Sequence, residues 1–316
     1  MESRLVQPIV FEPIFMERVW GGRRLQALFG KPLPPQVSIG ESWEMVDRPE
    51  AQSVVRDGPL RGMTLNGLWS DRREEVFGDV PDAPRFPLLI KLLDAQENLS
   101  LQVHPPRAIA QQLGGESKTE LWYIVDAAPG AKLYAGFRKG TRRESFLEAL
   151  KRGTVEEHLY AVDVKAGDAI FLPSGRMHAL GAGNVLVEVQ ENSDTTYRIY
   201  DWNREKSGRP ARRMHITEAM QCVDFDDVEP GLLRAQNELL VRNELFEVQK
   251  WDLKESRKIN PAGQFAIVCC LTGTVRCGEV KLAPGEFFLV PASSANREVQ
   301  PVHDKTSLLR ITIPTR

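Results

Sequence analysis

The chain has 316 residues, long enough for more than one hydrophobic core, and its 42% hydrophobic and 27% charged residues are those of an ordinary soluble globular protein. Its 41 basic residues against 43 acidic ones leave a net charge of −2, so no global field recommends nucleic acid or a membrane surface as a partner. No apolar run approaches the ~20 residues of a membrane span, and MESRLVQPIVFEPIF lacks the apolar centre of a signal peptide; a cytoplasmic protein is expected. The cysteines Cys222, Cys269, Cys270 and Cys277 form no Cys-x-x-Cys pair and are expected as reduced, buried thiols.

Short β-branched or aromatic runs punctuated by Gly, Pro and Asp dominate, which predicts a mostly β architecture with few short helices. In chain order, Trp20 in Val-Trp-Gly-Gly suits core packing, and Pro32, Pro34 and Pro35 make a loop after Gly30. Glu41-Ser42-Trp43-Glu44 suits pocket lining, with Ser42 as a phosphate-contact candidate. Leu65 to Phe77, carrying Leu68, Trp69 and Val76 among charges, is a helical candidate. Lys91 interrupts the apolar run Leu88–Leu93, where an ammonium is costly unless paired with a carboxylate or a substrate phosphate. A second helix is predicted from a Thr141 cap, with Glu144 three residues on and Phe146, Leu147 and Leu150 at helical spacing, until Gly153 stops it.

Four residues then propose one divalent-metal site: Gln102 and His104 in LSLQVHP, Glu120 in KTELWYI, and His178 in LPSGRMHAL. Successive side chains of a strand point to opposite faces, so Gln102 and His104, two apart, share a face. Two imidazoles, a carboxylate and an amide oxygen suit Zn²⁺ or another borderline ion such as Mn²⁺ or Co²⁺, and no thiol is present to make a structural zinc clip. Lys118 lies two residues before Glu120 and is expected on the same face; a neighbouring metal would lower its pKa and make it an acid or base. His158, His215 and His303 sit in polar or terminal contexts and are expected to be structural or exposed.

An internal repeat organises the chain. Gly167-Asp168 followed by an apolar run to Pro173 is matched by Gly285-Glu286 running to Pro291, and the strand from Gln264 to Leu271 parallels the one opened by Glu120. Five residues after each proline stand His178 and Asn296, so metal is expected in the first copy only. Two units are predicted, a catalytic 1–235 with helical insertions and a degenerate 236–316.

The segment Gly-Asp-apolar-Pro-x-x-x-x-His resembles the cupin motifs, small jelly-roll β-barrels that hold a metal inside. LSLQVHP, KTELWYI, LPSGRMHALG and VQENSDTTYRIYDWNR together resemble the type I mannose-6-phosphate isomerases in their short bacterial form, from about Phe11 through Asn203 and more weakly beyond. The resemblance implies two cupin-like barrels, one Zn²⁺ per chain on Gln102, His104, Glu120 and His178, and a catalytic arginine at Arg198. Two family lysines fall on Lys91 and Lys118. One departure stands out: Arg176 follows Gly175, where a small residue such as threonine is expected.

The implied reaction interconverts mannose 6-phosphate and fructose 6-phosphate through a cis-enediol, which needs a proton carrier, an electrophile and a grip on the phosphate. Lys118, Asp194 and a metal-held water are the candidate proton carriers. Arg198 suits stabilising the enediolate, with an ion pair to Asp194 as its structural alternative. No glycine loop cradles phosphate, so side chains must hold it. The expected partner is a small sugar phosphate, with the chain a monomer or weak homo-oligomer. Alternatives are a glucose-6-phosphate isomerase of cupin type and a non-catalytic sugar-binding regulatory cupin.

Overall fold

Residues 7–208 and 212–315 are described by the computed structural model; residues 1–6, part of the stretch expected to hold no signal peptide, lie outside them. The predicted β character holds, and every pairing between named strands is antiparallel. In the first part of the chain a six-stranded sheet runs in the spatial order Ile14–Gly22, Ile39–Met45, Leu88–Ala95, Asn184–Glu191, Glu120–Ala127, Ala169–Leu172. A five-stranded sheet faces it, ordered Tyr197–Tyr200, Leu101–Val103, His178–Leu180, Lys132–Phe137, Leu159–Asp163. Between Leu239 and Thr312 a separate five-stranded sheet and a four-stranded sheet form a second pair, sharing no strand with the first.

The repeat seen in the sequence is a repeated turn. Gly167 (φ +92°) and Gly285 (φ +77°) each take a left-handed conformation that favours glycine. Asp168 and Glu286 each accept a bond from the backbone N–H three residues back, Lys165 at 2.9 Å and Ala283 at 2.8 Å. The following strands Ala169–Leu172 and Phe287–Val290 then pair with Glu120–Ala127 and Ala266–Thr272 respectively.

Strand Glu120–Ala127 is apolar on both faces because both are covered. Trp122 and Ile124 join Leu93, Leu133, Leu172, Leu180 and Leu186 between the first two sheets. Leu121 and Tyr123 point the other way, into one cluster with Leu88, Ile90, Val187, Phe265, Ile267 and Ile311 that spans both parts of the chain. A sheet buried on both faces loses the polar alternation of a half-exposed one.

The helices are short, as predicted. Residues 65–77 form two of them, Leu65–Asp71 and Arg73–Phe77, the first capped by Thr64 Oγ1 accepting the Gly67 N–H at 3.0 Å. The helix predicted from Thr141 spans Arg143–Arg152 and ends at Gly153 (φ +74°). Its N-cap is Arg142, not Thr141: Ser145 Oγ exchanges bonds with the Arg142 backbone, while Thr141 Oγ1 donates to the His158 carbonyl at 3.4 Å. No helix among the described residues is long and apolar enough to cross a membrane. The four cysteines are free and buried, as expected.

Candidate active site

Register, rather than sequence proximity, assembles the site. His178 and Arg198 both lie directly opposite Gln102, on the two strands flanking Leu101–Val103. Directly paired residues share a face, so Arg198, Gln102 and His178 make one row, with His104 two residues further on. The facing sheet supplies a second row, Trp43–Lys91–Glu188–Trp122, each paired with the next, and Glu120 stands two residues before Trp122.

Hydrogen bonds on the outer ring nitrogens set the histidine tautomers. His104 Nδ1 lies 2.8 Å from the Thr195 carbonyl, and His178 Nδ1 lies 2.9 Å from the Arg176 carbonyl. A carbonyl only accepts, so each Nδ1 carries the proton and each Nε2 turns a lone pair inward. Those lone pairs face the Glu120 carboxylate, His104 Nε2 at 3.3 Å and His178 Nε2 at 3.6 Å. His104 Nε2 and Glu120 Oε2 are buried with no hydrogen bond. Burial, aided by the Lys118 charge, pushes the His104 pKa down to about 4 against the pull of Glu120, and burial lowers that of His178.

Acceptors therefore face acceptors with no proton between them, an arrangement that costs free energy unless a cation joins them. The ligand atoms of His104, Glu120 and His178 lie within 4.8 Å of one another, the one such group of three among the described residues. Gln102 Nε2 sits 3.3 Å from His178 Nε2, and a half-turn of the amide brings the carbonyl oxygen to that side. The donor set fits a borderline divalent metal.

Beside these groups is a cavity of about 490 Å³ whose walls include Arg18, Glu41, Lys91, Lys118, Glu188, Asp194, Arg198 and Arg212. A larger groove of about 900 Å³, beside Tyr123, Lys250 and Lys305, contains none of the predicted site residues. Lys118 Nζ stands 2.9 Å from Glu120 Oε1, on the expected face. The expected lowering of its pKa belongs to a neighbouring metal; the protein's own groups act the other way. Burial pushes the ammonium down, but the Glu120, Glu188 and Asp194 carboxylates outweigh burial and raise the pKa. Lys91 has the carboxylate partner its burial required, Glu188 at 2.9 Å.

Arg198 makes no ion pair among the described residues and its Nε is buried without a partner, so the alternative pairing with Asp194 is absent. Burial, with the nearby Arg212 charge, lowers its pKa. Asp194 is exposed at the cavity edge with no hydrogen bond or ion pair among the described residues. Ser42 is not brought to the cavity. It faces the other side of its strand and donates to Glu44 Oε1 at 2.6 Å, and Glu44 in turn pairs with Lys31. Of the other histidines, His158 and His215 stay out of the cavity; His215 accepts the Arg198 backbone N–H at 3.3 Å.

Sequence reasoning missed Glu188, Arg18 and Arg212, and offered Glu41 only as part of a pocket-lining segment. Glu188 holds Lys91 and accepts the Trp122 indole N–H at 2.8 Å. Glu41 accepts a fork from Arg18 at 2.9 and 3.2 Å and the Trp43 indole at 2.6 Å. Arg212 forks onto Asp201, with Nε at 2.8 Å from Oδ2. The signal for Glu188 was there: a lone carboxylate inside the apolar run Val185–Val189 needs a cation as much as Lys91 needs an anion.

The pairing around Glu41 makes a testable acid limb. Burial raises its pKa, but Lys91 and Arg18, with the bonds from Arg18 and Trp43, hold it down to about 2 from 4.5. A depressed carboxylate contributes stability that is present above the unfolded pKa and lost as pH falls through the folded one. At ~1.4 kcal/mol per pH unit this is about 3 kcal/mol, lost between pH ~4.5 and ~2. Glu41→Gln is expected to be less stable than the parent at neutral pH and to flatten that limb in urea melts; parallel curves for the two proteins would refute the assignment.

Two family models match the chain, "Phosphomannose isomerase type I, catalytic domain" over residues 9–128 and "Mannose-6-phosphate isomerase, cupin domain" over residues 236–304. A probable mannose-6-phosphate isomerase of Bacillus subtilis, GmuF, is 35% identical over 301 residues, covering 91% of this chain and 94% of that protein. The chain belongs to the type I phosphomannose isomerase family. A mannose-6-phosphate isomerase of Streptococcus mutans is 34% identical, over 91% of this chain and 93% of its own. The crystal structure of the mannose 6-phosphate isomerase from Bacillus subtilis superposes with a TM-score of 0.83 at 31% identity, covering 97% of this chain and 99% of that one. Within this type I phosphomannose isomerase, the match over 236–304 falls where the sequence resemblance weakens.

Proposed function

We propose that the chain is a metal-dependent aldose–ketose isomerase that interconverts mannose 6-phosphate and fructose 6-phosphate through a cis-enediol. One Zn²⁺ per chain is held by Gln102, His104, Glu120 and His178. The observation that carries this is the pair of inward Nε2 lone pairs set against the buried Glu120 carboxylate, whose Oε2 has no hydrogen bond, beside a cavity that contains an uncommitted carboxylate and an uncommitted guanidinium. Residues 1–235 form the catalytic unit and 236–316 the second, metal-free unit. The protein works in the cytoplasm as a monomer or weak homo-oligomer, with a small sugar phosphate as its partner.

Bound zinc supplies Lewis-acid polarisation of the substrate oxygens. Asp194 carries the proton between C2 of the aldose and C1 of the ketose: it is the carboxylate left free when Glu41 and Glu188 are tied to Arg18, Lys91 and the indoles. Lys118, held protonated by its carboxylate neighbours, donates to the sugar oxygen on which charge develops. Arg198 aims its planar fork at the same enediolate. Lys91, already balanced by Glu188, binds a sugar hydroxyl, and the phosphate dianion sits towards Arg212.

A coupled assay tests this directly. Turnover of mannose 6-phosphate is expected to vanish after chelation, to return with Zn²⁺, and to exceed turnover of glucose 6-phosphate. Chelator-insensitive turnover, or none by metal-loaded protein, would overturn it.

A further inference from the structure

The loop that presents His178 is anchored on both sides. Gly175 (φ +95°) turns the loop, and its N–H is tied to the His104 carbonyl at 2.9 Å. Arg176 does two things at once. Its backbone carbonyl accepts the His178 Nδ1–H at 2.9 Å. Its guanidinium forks onto Asp227, Nε to Oδ2 and Nη2 to Oδ1, both at 2.7 Å, while Nη1 donates to the Phe171 carbonyl at 2.6 Å.

Asp227 is itself fixed. It lies in the stretch after helix Ile216–Cys222, where its carbonyl accepts the Phe137 N–H at 2.9 Å, Glu229 N–H donates to the Phe137 carbonyl at 2.9 Å, and Asp224 N–H donates to the Gly175 carbonyl at 3.0 Å. Both partners are mostly shielded, with side chains 15% and 14% exposed, so the fork is less screened than a surface pair. A threonine at this position has no atom that reaches as far as a guanidinium, and the Arg176 peptide would lose its side-chain anchor.

We propose that Arg176 is a positioning residue: clasped to Asp227, it holds still the carbonyl that orients the His178 ring, and so sets how long the bound metal stays. The inference rests on the proposed metal site. Groups that orient a ligand imidazole through its second nitrogen typically change metal affinity by ~10–100-fold when removed.

The test uses zinc-loaded full-length protein, Arg176→Thr and Asp227→Asn variants, and the rate of zinc release to a chromophoric chelator. Both variants are expected to release zinc ~10–100-fold faster than the parent, with Arg176→Lys, which keeps one bond to Asp227, falling between. A purely structural clasp would lower the melting temperature of the metal-free protein and leave the release rate at the parent value; that outcome, in either folded variant, overturns the proposal. If Arg176→Thr fails to fold, Asp227→Asn alone decides. A parent protein that binds no zinc overturns the metal site and this inference together, whereas a parent that binds zinc beside variants with unchanged release overturns the clasp alone.

Discussion

Glu120→Gln is expected to yield protein that retains little metal and turns over mannose 6-phosphate on the order of 10³-fold or more slowly, a loss of ~4 kcal/mol in transition-state stabilisation. The carboxylate is fully buried and is the only anion in the donor set. Its replacement therefore leaves two neutral imidazoles and two amides, a set that no longer offsets the charge of a divalent ion taken out of water. The variant also strands Lys118, whose ammonium stands 2.9 Å from Glu120 Oε1 and is itself buried. Removing one member of a buried ion pair typically costs ~3–5 kcal/mol, so the metal-free variant should unfold well before the metal-free parent. Elemental analysis beside a coupled assay reads the first effect and denaturant melts the second. One metal per chain with parental turnover would eliminate Glu120 as a ligand.

Arg198→Ala should separate chemistry from folding in the opposite way. Turnover is expected to fall ~10²–10³-fold, the usual consequence of deleting a donor aimed at developing charge, while metal content stays at the parental level. Stability should change little, because Arg198 is not the partner of any carboxylate among the described residues and its removal orphans no anion. Arg198→Lys should recover only part of the rate, since an ammonium cannot reproduce the planar fork. Near-parental kcat in the alanine variant, with any loss confined to KM, would reassign Arg198 to phosphate binding.

The cluster of His104, Glu120 and His178 was legible in the sequence because each signal was local: a Gln-x-His pair at strand period, a carboxylate opening an apolar run, a histidine after a Pro-Ser-Gly turn. What the sequence left out was how strands meet. That Glu188 lies opposite both Lys91 and Trp122, and Arg198 opposite Gln102, follows from register between strands as much as a hundred residues apart. The miss at Ser42 is a parity error of one residue. Glu41 lines the cavity, so Ser42 next to it must face away, and a shift of one position along a strand exchanges every inside side chain for an outside one. At Lys118 nothing in the local sequence signalled the Glu188 and Asp194 carboxylates that join Glu120 around the ammonium from other segments. Arg212 gave no signal, because its role depends on Asp201 and the cavity edge coming together in space.

Strand Glu120–Ala127 carries Glu120 and Trp122 on one face, and on the other Leu121 and Tyr123, which belong to the apolar cluster shared with the second part of the chain. The second part of the chain therefore stands where water would otherwise be, behind the strand that holds Glu120. Cutting the chain at the boundary between the units would expose Leu88, Ile90, Leu121 and Val187 together, an apolar surface large enough to drive association. The second part of the chain thus supplies the cover that keeps the outer face of this sheet dry.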